Sequence, residues 1–356
     1  MMKEQRIAIV LPANVWFCPF VNIYTQILDE YGINYDIINW DKAGNESFAS
    51  ISYEGDVGNS SLSKLLGYWR FSKFIKKNLK HKNYDKVIVF GSQIGIFCSN
   101  FLKKHYPSKY IFDFRDLSIE QMRIFKPPFE RLLQNSYRNV ISSPGFIKYL
   151  PSGNEYILSH NFIVSEVKSA LSKIDNIGIT QPIEVLTIGG IRDADSNIPV
   201  IDALGNDERY SLRFVGKGPD AAILEKHVKN KNYKNVSFEG YYKKEDEPDI
   251  IKTTQFLNIF YPNKISHITA LSNRFYNSII YRKPMITTRG QIQGDFCEKY
   301  NLGIAISDAS ELNIKLIEWL QNEDFESYQS RCISLLKSFL NDYDKFKNMV
   351  IEFIKN

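Results

Sequence analysis

The sequence has little cysteine and no long apolar segment. Its four cysteines, Cys18, Cys98, Cys297 and Cys332, lie far apart and include no Cys-x-x-Cys pair. This spacing is typical of free thiols in a reducing compartment and excludes a disulfide scaffold. No apolar run approaches about 18 residues, and Met1–Gln5 lead directly into a strand pattern. We therefore predict no signal peptide, no transmembrane helix and a cytoplasmic location.

Several enzyme signatures are also missing. The chain has no nucleophile elbow, Walker loop or kinase signature. Pro12–Phe17 stand where a dinucleotide fingerprint, Gly-x-Gly-x-x-Gly, would follow the first strand, so a nicotinamide cofactor is not expected. The histidines show no metal-ligand spacing: His81, His105, His160, His227 and His267. These absences predict neither a cofactor nor a metal site.

One carboxylate pair keeps a metal alternative open. Asp193 and Asp195 have the carboxylate-x-carboxylate form with which some transferases hold Mn²⁺ or Mg²⁺ on a nucleotide diphosphate. Their turn is rich in Asp, Ser and Asn and lies several residues beyond the predicted strand. We favour a solvated turn that caps the next helix.

The length and the hydrophobic content indicate two folded domains. The chain has 356 residues, of which 44% are hydrophobic, enough for two cores of ordinary size. Residues 1–160 carry 20 Lys and Arg against 14 Asp and Glu, a net charge of +6, whereas the remainder carries 25 against 26, or −1. The basic excess therefore belongs to the first half.

Short apolar runs alternate with helical patterns in both halves. In the first half the predicted strands are Arg6–Leu11, Tyr35–Asn39, Lys86–Gly91, Tyr110–Phe114, Val140–Ser143 and Tyr156–Leu158. In the second half they are Ile183–Ile188, Leu212–Val215, Asn235–Gly240, Phe256–Phe260, Met285–Thr287 and Ile304–Ile306. This alternation predicts the α/β class with two parallel sheets, in which ligands bind beyond the carboxyl ends of the strands. We predict domains at 1–164 and 182–335, a linker at 165–181 and a C-terminal helix at 336–356 that returns to the first domain.

A basic, aromatic segment spans Lys64–Lys86. Eight cations face the single anion Asp85 and alternate with apolar residues such as Trp69 and Phe71. A helix of this kind suits an anionic membrane surface, so peripheral contact with the inner face of the membrane is one interpretation. The other is an ordinary surface helix whose apolar stripe packs on the sheet. Signatures of base-reading modules are missing, so we predict no nucleic-acid partner.

Two loops of the first half carry candidate acceptor and catalytic residues. Asp113, Arg115 and Asp116 follow a predicted strand directly, where they would orient an acceptor hydroxyl or supply a base. The alternative is an ion pair that holds the loop. Asn14, Trp16 and Phe17 follow the first strand, and the aromatic pair would either stack on an acceptor or pack between loop and helix.

Glycine turns at the strand ends of the second half indicate an anion site. Gly189 and Gly190 precede Arg192, and Gly216 precedes Lys217 and Gly218. Such glycines let backbone amides approach a diphosphate, with Arg192 and Lys217 as counter-charges. Their recurrence favours a nucleotide site in this domain.

A helix beginning at Ser272 adds to this site. The spacing of Asn273 and Asn277 predicts a helix with one solvated and one buried stripe, and Pro284 ends it before a strand. Its first turn, Ser272, Asn273 and Arg274, would present free amides and a cation to a phosphate.

With these residues in view, the chain resembles the GT-B glycosyltransferases, particularly the large retaining family 4 group of capsule, O-antigen and exopolysaccharide transferases. The resemblance covers residues 183–306 best, through Leu-Thr-Ile-Gly-Gly, Arg-Phe-Val-Gly-Lys-Gly-Pro, Asn-Val-Ser-Phe-Glu-Gly and Arg-Lys-Pro-Met-Ile-Thr. In the first half it rests on Phe-Asp-Phe-Arg-Asp-Leu and Ser-Pro-Gly-Phe. It implies two Rossmann-like domains facing across a cleft, with the nucleotide sugar held mainly by the second.

The resemblance also implies roles for individual residues. Gly190, Arg192 and Lys217 would contact the diphosphate, the backbone near Tyr241 would contact the base, and the helix from Ser272 would contact ribose and phosphate. The family's two glutamates, eight positions apart, correspond here to Thr269 and Asn277. An amide at 277 still bonds a ribose hydroxyl, but Thr269 does not replace a carboxylate.

Together these observations predict a metal-independent hexosyltransferase. It would move a sugar from a nucleotide-diphosphate donor to a lipid-linked or oligosaccharide acceptor in bacterial surface polysaccharide synthesis. Two alternatives stay open: a GT-B-fold nucleotide-sugar epimerase, and a non-catalytic nucleotide-sugar-binding or scaffold subunit.

Overall fold

The computed structural model of the protein describes residues 5–172 and 181–356. They form two units, one of residues up to His160 together with Asp342–Asn356, the other of Asn161–Asn341. Residues 173–180 of the predicted linker lie outside the described residues. Each unit is built around its own parallel sheet, so the predicted α/β class with two Rossmann-like domains is confirmed.

The first unit contains a sheet of seven strands. They are β1 Arg6–Val10, β2 Asn34–Asp41, β3 Ile51–Glu54, β4 Lys86–Phe90, β5 Tyr110–Phe114, β6 Arg138–Ile141 and β7 Tyr156–Leu158. All pairings are parallel, in the order β3-β2-β1-β4-β5-β6-β7. The short edge strand β3 was not predicted, because its residues are only partly buried and make no continuous apolar run.

Helices cover both faces of this sheet. They are α1 Asn22–Glu30, α2 Ser61–His81, α3 Ser92–His105, α4 Lys126–Gln134 and the last part of the C-terminal helix. One core contains Phe71, Phe112 and Phe129, and the other contains Ile9, Phe90 and Phe353. Burial from both sides explains why β1 and β4 are nearly continuous apolar runs.

The second unit contains a sheet of six strands. They are β8 Ile183–Ile188, β9 Tyr210–Val215, β10 Val236–Gly240, β11 Phe256–Ile259, β12 Met285–Thr288 and β13 Gly303–Ile306. Their order is β10-β9-β8-β11-β12-β13, again with parallel pairings. Each strand lies within about two residues of its predicted position, because each is an apolar run bounded by a polar or glycine turn.

Nine helices contribute to the described part of the second unit. They are α5 Val164–Leu171, α6 Ala194–Leu204, α7 Ala221–Lys231, α8 Glu247–Lys252, α9 Ile265–Thr269, α10 Asn273–Ile280, α11 Ile292–Tyr300, α12 Leu312–Asn322 and the first part of α13 Phe325–Lys355. The predicted helix after Ser272 is α10, which ends before Pro284. Its predicted solvated stripe is wrong, because Asn273 is exposed whereas Asn277 is buried. Among the described residues, no helix is both long and apolar enough to cross a membrane.

Candidate functional site

The strand order locates the ligand crevice of the second unit. The chain runs outward from β8 through β9 to β10, and then crosses to β11, which lies on the other side of β8. The connections that leave β8 and β11 therefore diverge at the carboxyl edge. In open parallel sheets this switch point is where ligands bind. The residues to consider first are thus those after Ile188 and those after Ile259.

The glycines after β8 and β9 have two different structural roles. A Cβ at Gly190 would meet no atom within 4 Å, and Gly190 is exposed. A Cβ at Gly216 would lie 1.9 Å from the carbonyl oxygen of Gly189, and one at Gly218 would lie 1.9 Å from that of Ile191. Gly216 and Gly218 therefore allow the two loops to pack together, and only the turn at Gly189 and Gly190 leaves open space.

Arg274 supports this turn from the inside. Its guanidinium is buried and donates to the carbonyl oxygens of Ile188 and Gly190, the latter at 3.0 Å. We predicted that Arg274 would contact a phosphate directly. In the structure it instead binds backbone carbonyls, so its position is that of a residue that shapes the turn.

Three exposed cations lie in the connections that follow β8, β9 and β11. Arg192 follows the β8 turn, Lys217 follows β9, and Lys264 follows β11. The ammonium of Lys217 lies 5.6 Å from the ring centroid of Tyr241, a residue that is 71% exposed. The two predicted cations, Arg192 and Lys217, and the unpredicted Lys264 thus follow three different strands of one unit, and an exposed aromatic ring lies beside Lys217.

Asp193 and His267 form a pair at the switch point. Asp193 follows Arg192, and its Oδ2 lies 3.2 Å from Nε2 of His267 in α9. Its Oδ1 accepts a hydrogen bond from Lys264 at 2.9 Å. The expectation that Asp193 is a solvated cap is wrong, because its side chain is largely buried and makes no cap bond to α6. Instead, Asp220 accepts from the amide of Ala194 at 3.0 Å.

A buried carboxylate lies near the glycine turn. Glu247, at the start of α8, accepts hydrogen bonds from Tyr242 at 2.6 Å, from Asn277 at 2.9 Å and from Lys244. Burial opposes ionisation of Glu247, but these donors outweigh it and lower its pKa. The hydroxyl of Tyr242 lies 3.9 Å from a Cβ built on Gly189. Asn277 is therefore hydrogen-bonded to a charged carboxylate, and Tyr242, another donor to that carboxylate, lies near the turn.

The start of α10 is largely occupied by protein groups. The hydroxyl of Ser272 accepts from the amide of Phe275 at 3.2 Å and donates to Gln293. Gln293 also accepts from the amide of Ser272 at 3.1 Å. Asn273 accepts from Asn161 at 3.0 Å. The predicted phosphate contacts of Ser272 and Asn273 remain predictions, with less of the helix terminus open than its sequence suggested.

In the first unit, the predicted catalytic aspartate is a buried structural group. Asp113 is 0% exposed and accepts from Nε and Nη2 of Arg115, at 2.6 and 2.9 Å, and from the hydroxyl of Tyr24 at 2.8 Å. Arg115 also donates to Ser159. The alternative of a loop-holding ion pair thus describes Asp113 and Arg115, and the catalytic assignment of Asp113 is not supported. Asp116 is exposed, and its catalytic role remains a prediction.

The loop after β1 also contains one buried predicted residue and two exposed ones. Asn14 is fully buried, donates to Asp41 at 2.6 Å and accepts from the amide of Lys42 at 3.0 Å. It therefore holds two loops together, and its predicted contact with an acceptor is not supported. Trp16 and Phe17 are 47% and 56% exposed, with ring centroids 3.6 Å apart. They do not pack into the core, so the acceptor-stacking interpretation remains available for them.

Helix α2 has two apolar faces. Phe71, Ile75 and Leu79 are buried in the core, as the ordinary surface-helix interpretation predicts. Three further apolar side chains in its first three turns are exposed instead: Leu62, Leu66 and Trp69. The ammonium of Lys73 lies 3.5 Å from the Trp69 ring centroid. We call this set the α2 patch.

Sequence reasoning missed His267, Lys264 and Glu247. His267 was set aside because no other histidine has ligand spacing to it, and its partner Asp193 is distant in sequence. Glu247 stands among Glu245 and Asp246, and only its burial distinguishes it from them. The useful signal was the strand order, since Lys264 and His267 come directly after the strand next to β8.

The described residues contain no group of three or more His, Cys, Asp or Glu side chains arranged to hold a metal ion. Asp193 and Asp195 are thus not part of a cluster of that size. Asp193 is directed instead to Lys264 and His267.

In sequence, no family model and no curated protein matches the chain. In structure, sucrose-phosphate synthase from Thermosynechococcus elongatus is similar, with a TM-score of 0.70 and 13% identity over 99% of this chain and 98% of that one. HepE from Anabaena, solved in complex with UDP, has a TM-score of 0.64 and 11% identity over 98% and 100%. UDP-GlcNAc 2-epimerase from Methanocaldococcus jannaschii has a TM-score of 0.56 and 13% identity over 94% and 100%. The chain thus has the two-domain α/β fold of the GT-B glycosyltransferases.

Proposed function

We propose that the protein is a glycosyltransferase that transfers a sugar from a nucleotide-diphosphate donor to an acceptor hydroxyl. The observation that supports this most is the open turn at Gly190, at the switch point of the second sheet, with Arg192, Lys217 and Lys264 after adjacent strands. Glycosyl transfer releases a diphosphate, and fixed cations and backbone amides stabilise the charge that develops on it. We propose that these groups stabilise the leaving diphosphate without a metal.

Each part of this edge has a defined task in the proposal. Arg192 and Lys264 would neutralise the diphosphate, and the exposed ring of Tyr241 beside Lys217 would stack on the base. Glu247 and Asn277 would fix the ribose side of the donor through their shared hydrogen bond. Arg274 would hold the turn in shape through its bonds to backbone carbonyls. The finer proposal is a retaining hexosyltransferase of surface polysaccharide synthesis.

A nucleotide panel tests this function. We expect one of UDP, GDP, TDP and CMP to raise the melting temperature, because a ligand that binds the native state stabilises it by mass action. A panel of the matching nucleotide sugars should then release free nucleotide only when an acceptor glycan or lipid-linked acceptor is present. Binding without turnover on any acceptor would favour the scaffold alternative.

An epimerase is the second candidate, and one observation favours it. Epimerisation needs acid and base groups beside the sugar, and Asp193 with His267 supplies a carboxylate and an imidazole at the switch point. Production of a new nucleotide sugar in the absence of acceptor would select this function over transfer.

The acceptor side of the proposal concerns the first unit. Exposed Trp16 and Phe17 would stack on a glycan or a lipid-linked acceptor. The α2 patch, with Lys64, Arg70 and Lys73 exposed on the same helix, would contact an anionic membrane surface from the cytoplasmic side. Apolar burial and attraction to anionic lipid add up in such a surface, since each Lys or Arg near it contributes roughly 1 kcal/mol.

A further inference from the structure

The connections that follow β5 and β6 enclose a cavity of about 230 Å³ in the first unit. Three apolar residues line it together with six polar ones: Glu120, Gln121, Lys126, Glu130, Lys148 and Tyr149. We propose that this cavity binds one uncharged sugar residue of the acceptor, with Glu120 accepting hydrogen bonds from its hydroxyls. The inference rests on the proposed transferase function and adds to it a binding site for the acceptor.

The cavity lies where two neighbouring strands end. Glu120 belongs to the 3₁₀ turn Ile119–Gln121 after β5, and Lys126 begins α4 in the same connection. Lys148 belongs to the 3₁₀ helix Pro144–Tyr149 after β6. Because β5 and β6 pair in parallel, both connections leave the same edge of the sheet. The carboxyl edge is where parallel sheets bind their ligands.

Glu120 is a buried carboxylate with one oxygen that lacks a donor. It is only 2% exposed. Its Oε1 accepts from the amide of Ser118 at 2.5 Å and from Nε2 of Gln121 at 3.3 Å. Its Oε2 is buried and makes no hydrogen bond with the described residues. Burial of a carboxylate oxygen without a donor is unfavourable, so a ligand hydroxyl that donates to Oε2 would be stabilised.

The formal charges along the cavity wall cancel. Lys126 and Lys148 contribute two positive charges, and Glu120 and Glu130 contribute two negative ones. A phosphate would therefore meet as much negative as positive charge here. A sugar hydroxyl both donates and accepts hydrogen bonds, so a sugar ring matches a wall of carboxylates and ammonium groups. The charge balance thus favours an uncharged sugar over an anion.

The size and the apolar part of the wall fit a single sugar ring. At about 230 Å³ the cavity is smaller than pockets for drug-sized ligands, which measure roughly 300–1,000 Å³. Phe129 and Leu150 are buried in its wall, and Tyr149 is half-buried. Apolar and aromatic surface of this kind packs on the C–H face of a sugar, while the hydroxyls bind the polar groups. The cavity therefore suits one sugar residue and not a whole nucleotide sugar.

The first unit contains a matched control for the lysines of the cavity. Lys103 is exposed in the last turn of α3, which precedes the amino end of β5. It is not among the residues that line the cavity. Lys103→Ala therefore removes an exposed cation of the same unit from the other edge of the sheet.

The first experiment measures sugar binding without transfer. The full-length protein is titrated with the methyl glycosides of glucose, galactose, mannose, rhamnose and N-acetylglucosamine, and binding is followed by saturation-transfer NMR. At least one should bind to the wild type in the millimolar range. Glu120→Gln should weaken that binding about tenfold or more, because a hydrogen bond to a charged group is lost. Absence of binding to the wild type, or equal binding by Glu120→Gln, would overturn the site.

The second experiment uses the acceptor on which the wild type is active. Glu120→Gln should raise the acceptor KM about tenfold or more, and Lys126→Ala and Lys148→Ala should each raise it about threefold to tenfold. The donor Kd should stay within about twofold of the wild type, because these residues contact only the acceptor. Lys103→Ala should match the wild type in both measurements. The lysine variants alter exposed positions, so they decide the question if Glu120→Gln does not fold.

The outcomes separate this site from the transferase function. A wild-type acceptor KM in Glu120→Gln and in both lysine variants would reject the site and leave the transferase in place. A donor Kd that rises together with the acceptor KM would also reject it, because the substitutions would then act on the structure as a whole. A wild type that binds a methyl glycoside through Glu120 but transfers no sugar would instead reject the transferase function and, with it, the acceptor role of the cavity.

Discussion

The carboxyl edges of the two sheets have the same architecture and opposite surface chemistry. At the edge of the first sheet the carboxylate of Asp113 is buried and accepts hydrogen bonds from Arg115 and Tyr24, while Trp16 and Phe17 are exposed. At the edge of the second sheet, Arg192 and Lys264 are exposed beside an open glycine turn. For this reason we assign the acceptor of the proposed function to the first edge and the anionic donor to the second.

This contrast shows that position after a parallel strand does not by itself make a residue functional. Asp113 lies near the end of β5 and Asp193 follows β8, but Asp113 has hydrogen bonds at both oxygens. Oδ2 of Asp193 makes no hydrogen bond with the described residues, although Nε2 of His267 lies 3.2 Å and Nε of Arg192 3.9 Å from it. The useful distinction is whether the local packing leaves a polar group available.

The largest effect is expected from removing the carboxylate of the first edge. Asp113→Ala should lower the free energy of unfolding by about 3–5 kcal/mol, because it removes the buried carboxylate that accepts hydrogen bonds from Arg115 and Tyr24. Urea denaturation of this variant measures the loss, and exposed Asp116→Ala is the control, with a much smaller expected change. If Asp113→Ala has the same free energy of unfolding as the wild type but has lost transfer activity, Asp113 would again be assigned a catalytic role.

A glycine pair tests which loop contacts are structural on the second edge. Gly216→Ala should cost about 2–4 kcal/mol of stability, because φ is 140° and the new Cβ would lie 1.9 Å from a carbonyl oxygen. A Cβ at position 190 meets no other atom within 4 Å, so Gly190→Ala should have nearly the stability of the wild type. It should still weaken donor binding roughly threefold to tenfold, because the methyl group occupies the turn. Thermal unfolding and calorimetric binding of both variants check this. Equal destabilisation by the two substitutions would contradict the distinction.

The cations of the second edge are tested by charge removal. Arg192→Ala should weaken donor binding about 10- to 100-fold, the usual range for losing a charge-assisted hydrogen bond. Lys229→Ala, at the far end of α7, removes an exposed charge of the same unit and should leave the affinity unchanged. Isothermal calorimetry measures both. Wild-type affinity in Arg192→Ala would remove this residue from the site.

The smallest effect concerns the exposed apolar groups of the first unit. Replacing Leu66 and Trp69 together by Ser should reduce binding to vesicles of phosphatidylglycerol and phosphatidylcholine about tenfold or more, because each buried apolar side chain contributes roughly 1.5–3 kcal/mol. Ile314→Ser, on an exposed helix of the second unit, is the control. Vesicle co-sedimentation at low and high salt measures the apolar and the electrostatic contribution to binding. Equal binding by the wild type and the double variant would separate the α2 patch from any membrane contact.

Much of the fold was predictable because its signals are local. Each core strand is a short apolar run followed by a turn residue, so β1, β4, β8 and β11 were located from sequence alone. The end of α10 was equally clear, because proline disfavours helical geometry in the residue before it. The glycine turn after β8 was likewise visible as Gly189 and Gly190.

The site was only partly predictable, because polar residues are ambiguous until their neighbours are known. Arg274 and Asn14 have the residue types of ligand-binding groups, but the structure directs them to backbone carbonyls and to a second loop. Glu247 could not be distinguished from the acidic residues before it without its burial.

The sequence by itself determined where the strands lie, which turns contain glycine and which half carries the basic excess. The tertiary structure alone decided which charges are satisfied and which remain available, because the partners come from strands that are adjacent in space and distant along the chain. The pairing of Asp193 with His267 is the clearest case: it exists because β11 inserts beside β8 and brings their two connections to one edge.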